Sequence, residues 1–156
     1  MLKFRLTKRL AQVLKRVHVE DELWDVCCDH GYLGLAALSL TTVPKVYFVD
    51  QVTHLIQALP RHERGQYICA PGEEVKQEVK GTLVIIGVGD YTITTILRSL
   101  LNRGLLRARR IILGPHKNPE RIENLDLRDY VLSEKITVDE KGRERKLYIF
   151  DKVQVV

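Results

Sequence analysis

No acidic residue occurs in positions 1–19, no glycine-rich phosphate loop occurs anywhere, and no apolar run reaches the about 18 residues that a membrane-spanning helix needs. The last absence predicts a chain that does not cross a membrane. Cysteine is scarce: Cys27, Cys28 and Cys69 form an odd set, two of them adjacent, without the paired spacing of a metal site. No metal is expected, and a reduced, cytoplasmic setting fits this usage. The cations that follow Met1, namely Lys3, Arg5, Lys8 and Arg9, lead into no apolar stretch of the kind that makes a secretory leader. What is present is ordinary for an ordered globular protein: 45% hydrophobic and 29% charged residues over 156 positions. That length supports one core, so residues 1–156 are expected to form a single domain.

Charge is uneven. The net charge is +5, and Lys3, Arg5, Lys8, Arg9, Lys15 and Arg16 all fall in the acid-free opening segment. Residues 98–117 repeat the pattern with Arg98, Arg103, Arg107, Arg109, Arg110 and Lys117. Two such blocks suit a phosphate backbone, and they equally suit solvated helix faces.

Hydrophobic spacing organises the rest. Leu6, Leu10, Val13, Leu14 and Val17 form an amphipathic stripe, predicting a leading helix over about 6–18 with Thr7 as N-cap. Short apolar runs at Leu23–Cys27, Val46–Val49, Tyr67–Cys69, Leu83–Ile86 and Ile111–Leu113 predict parallel strands buried on both faces. Helical patterns lie between them, the clearest running from Ile93 to Leu101, and another opens at Asn118-Pro119-Glu120 with Asn118 as cap. Residues 130–155 predict a closing antiparallel hairpin turning at Lys141-Gly142. The expected fold is a doubly wound α/β domain, Rossmann-like, with a mainly parallel sheet.

Ligands of such sheets bind beyond the carboxyl ends of the strands. There the chain places Asp25-Val26-Cys27-Cys28-Asp29-His30-Gly31-Tyr32-Leu33-Gly34, then Asp50, then Ala70-Pro71-Gly72-Glu73, then Gly87-Val88-Gly89-Asp90. Asp50, about 20 residues past the first turn, suits ribose hydroxyls, and it also suits a cap for the segment after it. Cys27 and Asp29 stand where a pyrophosphate-binding loop wants glycine, which disfavours NAD and FAD. S-adenosylmethionine carries no phosphate, and its cationic groups match Asp25 and Asp29.

These segments resemble the bacterial tRNA (adenine-22-N1) methyltransferases, members of the class I S-adenosylmethionine-dependent group. Leu6-Thr7-Lys8-Arg9-Leu10 is similar to that family's L-[ST]-x-R-L, and Asp25–Gly34 is similar to its D-I-G-[ST]-D-H-x-Y-L-P. Val84–Asp90 and Ile93–Leu97 resemble I-V-I-A-G-M-G-G and its following helix. Ile111–His116 resembles L-I-L-Q-P-N, and Glu140–Ile149 resembles a closing E-x-G-K-x-Y-x-I. The chain departs from the pattern at Cys27, at Asp90 and at Gly114-Pro115-His116, and the family's C-terminal helical extension has no counterpart in these residues.

The resemblance implies S-adenosylmethionine as cofactor, with Asp25, Cys27, Gly31 and Tyr32 at its methionine end and Asp50 at the ribose. Gly72 and Glu73 would border the adenine, with Gly87 and Gly89 beneath. Asp29 and His30 are the candidate catalytic residues. Lys8, Arg9, Lys15, Arg16, His116 and Lys117 are candidate RNA contacts. The function implied is N-methylation of adenine in tRNA or another RNA. The alternative is a catalytically inactive methyltransferase-fold module, and a nucleotide-binding domain of another α/β kind is a third reading. A homodimer or a partner subunit is open in each case.

Overall fold

In the computed structural model, which describes residues 2–154, seven strands form one sheet: β1 (Leu23–Val26), β2 (Val46–Asp50), β3 (Gly65–Cys69), β4 (Thr82–Val88), β5 (Arg110–Pro115), β6 (Tyr130–Glu140) and β7 (Arg143–Lys152). Their spatial order is β3-β2-β1-β4-β5-β7-β6. The first five run parallel, β7 pairs antiparallel with β5, and β6 pairs antiparallel with β7. The doubly wound α/β architecture and the closing hairpin are both as expected. Val155, the last residue expected in that hairpin, lies outside the described residues.

Apolar alternation within the strands divides the core into two layers. Trp24, Val26, Leu83 and Ile85 face one side, where α4 (Asp90–Asn102) and α5 (Pro119–Glu123) pack. Leu23, Val84, Ile112 and Ile149 face the other, covered by α1 (Lys8–Leu14), α2 (Tyr32–Leu40) and α3 (Thr53–Ala58). β1 is buried at all four positions, so a parallel strand covered on both faces reads as an unbroken apolar run interrupted only by Asp25. β3 differs. As an edge strand it has no fully buried residue.

Local chemistry sets the boundaries. Thr7 caps α1 as predicted, its Oγ1 accepting from the Leu10 N–H at 3.2 Å, although α1 ends at Leu14 rather than near 18 because the next residues close as turns. β1 stops one residue before its predicted end, since Cys27 is left-handed at φ 61° and cannot continue a strand. Asn118 corrects another expectation. It precedes Pro119, the first helical residue, but it is left-handed at φ 52° and makes no capping bond. Its amide instead donates to Asp90 Oδ1 at 3.1 Å.

Candidate active site

Strand order reverses between β1 and β4, and the loops leaving β1, β2, β3 and β4 meet there. The β1–α2 loop has a regular backbone: Cys27, Asp29 and Gly31 are left-handed at φ 61°, 53° and 71°. Alternate left-handed residues are what a glycine-x-glycine-x-glycine turn provides, and here two of the three places carry side chains at a cost on the order of 1 kcal/mol each. Gly31 cannot be replaced in the same way. A Cβ on it would meet Leu59 at 2.6 Å. Backbone bonds hold the loop, Cys28 N–H donating to Val49 O at 3.0 Å and Gly31 N–H to Cys28 O at 2.7 Å.

Three carboxylates converge on this loop. Asp25 is 3% exposed and accepts from the Gly34 N–H at 3.1 Å. Burial pushes its carboxyl up to about 7, the charges of Asp50 and Asp29 push it further the same way, and the Gly34 bond opposes them. Asp50 Oδ2 accepts from the Asp29 N–H and its Oδ1 from the Val52 N–H, both at 2.9 Å. Asp50 does not cap α3, whose N-cap is Val52 without a side-chain bond; its Oδ1 closes a local turn instead, and the carboxylate lines the cleft with lone pairs left for a ligand. Burial favours the protonated form of both neighbouring thiols, pushing Cys27 up to about 12 and Cys28 higher still.

The cleft comprises two cavities that share Cys27, Asp29 and Gly87. The larger, about 400 Å³, lies among Asp50, Gly72, Glu73, Val88 and Thr92. Gly72 opens the 3-10 turn Gly72–Glu74, and a Cβ there would strike Ile96 and Val26 at 2.8 Å. Ser99 Oγ and Arg103 clamp that turn to α4 through the Glu73 carbonyl at 2.6 and 2.7 Å. The smaller cavity, about 260 Å³, is lined by Arg5, Arg9, Asp25, His30 and Tyr32. His30 is exposed, sits 3.9 Å from the Asp29 carboxylate and lies against the Tyr32 ring with centroids 5.6 Å apart.

Asp25, Cys27, Asp29, His30, Tyr32, Asp50, Gly72, Glu73 and Gly87 thus gather around one cleft. Gly31 and Gly89 do not line it; they lie at the starts of α2 and α4. Lys8, Lys15, His116 and Lys117 are exposed. Arg16 is not free for phosphate, being held by both Glu134 oxygens at 2.9 Å. Arg9 faces the smaller cavity. Half of the second basic block is engaged within the fold: Arg103 on carbonyls, Arg109 on Asp21 and Glu20, Arg110 on Asp151. Sequence reasoning missed Val52, Leu55, Thr92 and Ile96 as cleft walls, and only the i, i+4 spacing of the last two hinted at a shared face. It also missed Arg5.

Comparison with known proteins fits this geometry. A family profile described as a methyltransferase domain matches residues 6–148, and the chain belongs to that family. An uncharacterized protein from Listeria monocytogenes serotype 4b superposes with a TM-score of 0.84 at 20% identity, over 97% of this chain and 70% of the other. The Bacillus subtilis m1A22 tRNA methyltransferase TrmK follows at 0.74 and 18%, over 96% and 68%. TrmK of Mycoplasma capricolum, solved in complex with S-adenosyl-homocysteine, superposes at 0.75 and 19%, over 94% and 69%. No curated protein sequence matches the chain closely enough to count as a relative. The expectations of a methyltransferase fold and of S-adenosylmethionine as its cofactor agree with these findings.

Proposed function

We propose that this chain binds S-adenosylmethionine in the carboxyl-edge cleft and methylates a ring nitrogen of adenine in tRNA or another RNA. One observation carries the reading: Asp50, at the end of β2, faces an open cavity that continues past Cys27 into a second one. The donor set fits the cofactor. Converging carboxylates suit a sulfonium and an ammonium, and they repel a pyrophosphate.

When bound, the cofactor supplies a methyl group activated on a cationic sulfur. Asp50 accepts from the ribose hydroxyls, Gly72 and Glu73 border the adenine, and Gly87 leaves open space beneath, since nothing lies within 4 Å of a Cβ built on it. Asp25 and Tyr32 serve the methionine end. The cofactor's methyl group needs no further activation, so the protein's part is to place the acceptor nitrogen and exclude water. Asp29, 70% exposed on the shared wall, accepts from the exocyclic amine, whose acidity rises as the ring becomes cationic. His30 lies beside it as the second acceptor-side group. Lys8, Lys15 and Lys117 offer cations to the RNA backbone, with the His116 imidazole beside them as a hydrogen-bonding group.

Titration calorimetry with S-adenosylmethionine and S-adenosylhomocysteine tests the cofactor, followed by methylation of total tRNA read by nucleoside mass spectrometry. The expected result is micromolar binding weakened about 10- to 100-fold by Asp50→Ala, as for loss of hydrogen bonds to a charged group. No binding at millimolar ligand overturns the proposal. Binding without transfer to any RNA assigns the chain instead to the non-catalytic modules.

A further inference from the structure

β6 forms one edge of the sheet, and at 11 residues it is the longest strand. Its turn fixes which backbone groups are free. Lys141 and Gly142 are both left-handed, at φ 51° and 77°, between the paired residues Glu140 and Arg143, which is the two-residue loop of a tight hairpin. That closing pair exchanges both of its hydrogen bonds, and the ladder then alternates without a break back to Glu134. The N–H and C=O groups of Lys135, Thr137 and Asp139 therefore point away from β7. Among the described residues, no other backbone group meets them. The irregularity between Leu132 and Glu134 ends this regular edge on its far side.

The side chains along the edge fit their own reversed copy. Lys135-Ile136-Thr137-Val138-Asp139 runs cation, aliphatic, hydroxyl, aliphatic, acid. In an antiparallel pair centred on Thr137, Lys135 of each copy stands opposite Asp139 of the other, and Ile136 stands opposite Val138. Centring the pair on Lys135 or on Asp139 sets like charges against each other instead. Lys135, Thr137 and Asp139 are exposed, and Ile136 is half-buried. Within one chain Asp139 faces Glu144 across the hairpin, two acids directly opposed, which a cation from a second copy would offset. Glu134 and Glu140, which also come face to face in this register, are already held by Arg16 and by the Arg9 N–H.

We propose that the β6 edge joins a second copy of this chain, with Thr137 on the two-fold axis and the two sheets continuous through about six backbone hydrogen bonds. The same edge serves both copies, so the contact closes at two. It stands independently of the cofactor reading, since it uses no residue that lines the cleft.

Sedimentation velocity on the full chain tests it. A species of twice the 18.0 kDa chain mass should form with a Kd on the order of 10 μM. Amide exchange at Lys135, Thr137 and Asp139 should slow as concentration rises, with no change in β3. Lys135→Asp and Asp139→Lys should each weaken the dimer about 10-fold or more, because each opposes like charges twice. Mixing the two variants should restore it, since every acid then meets a lysine. Should either swap fail to fold, Asp139→Asn gives a smaller weakening in the same direction. A monomer up to about 200 μM overturns the proposal and leaves the edge to a strand from another protein. A dimer unmoved by these substitutions, or swapped chains that fail to combine, overturns it as well.

Discussion

Asp25 is a carboxylic acid inside an apolar strand, and its surroundings set a pH dependence. Its folded value is raised to about 7 from 3.8, so between about pH 4 and 7 the unfolded chain releases a proton that the folded chain keeps. Stability attributable to this group is complete below that window, falls as pH rises through it, and stays low above it. Asp25→Asn keeps an oxygen for the Gly34 N–H and removes the titration. In urea unfolding, the variant should gain on wild type by about 2–4 kcal/mol between pH 4 and 7.5. A gap independent of pH contradicts this account. The neighbouring loop marks the limit of what residue identities alone disclose. The absence of glycine at 27 and 29 points away from dinucleotides, yet the backbone is left-handed at both. Asp29 adopts it readily as an Asx residue, whereas nothing in the identity of Cys27 announces it.

Among the elements, strands and long helices were legible because burial on both faces of β1, β4 and β5, and on one face of α4, leaves a strong apolar rhythm. Short elements were not. The dipeptide Asn118-Pro119 reads locally as a capped helix start, but a tertiary partner wins: Asn118 turns to Asp90, and Arg121 reaches the other Asp90 oxygen at 3.5 Å. Together with the His116 N–H bonded to Val88 O at 2.7 Å, these contacts latch the β5–α5 loop onto the end of β4 and the start of α4, next to Gly87, which lines both cavities. Asp90→Ala should cost about 1–3 kcal/mol, since it strands the Asn118 amide in a strained turn. Hydrogen exchange should locate the effect, with faster exchange at His116 and Lys117 and no change in β2. Uniform acceleration across the sheet would show a global rather than a local role.

For the whole molecule, the two basic blocks of the sequence overstate how many cations a partner meets. Arg16, Arg103, Arg109 and Arg110 face carboxylates or carbonyls, a pairing decided by folding that no local pattern reveals. Cations collect instead near the cleft, where Arg145, Arg9, Lys117 and Arg143, after burial, hold the His116 imidazole below its ordinary value. RNA affinity should therefore fall with salt, with a log–log slope of about −2 to −3 for three or four phosphate contacts to a single strand. Lys117→Gln should flatten that slope and Arg109→Gln should not. A salt-independent complex would remove RNA from the candidate partners.

The contact between the leading helix and the hairpin bears on how this protein is made. Val13 and Val17 share one apolar layer with Val138, Leu147 and Ile149, and Arg16 grips Glu134 across 118 positions of chain. β5 is equally dependent, being flanked by β4 and by the final strand β7. During synthesis the first helix must wait, its apolar stripe bare, until β6 and β7 have left the ribosome. The interval between the making of α1 and the making of β7 is thus the period when this fold is most open to aggregation, whatever its finished stability.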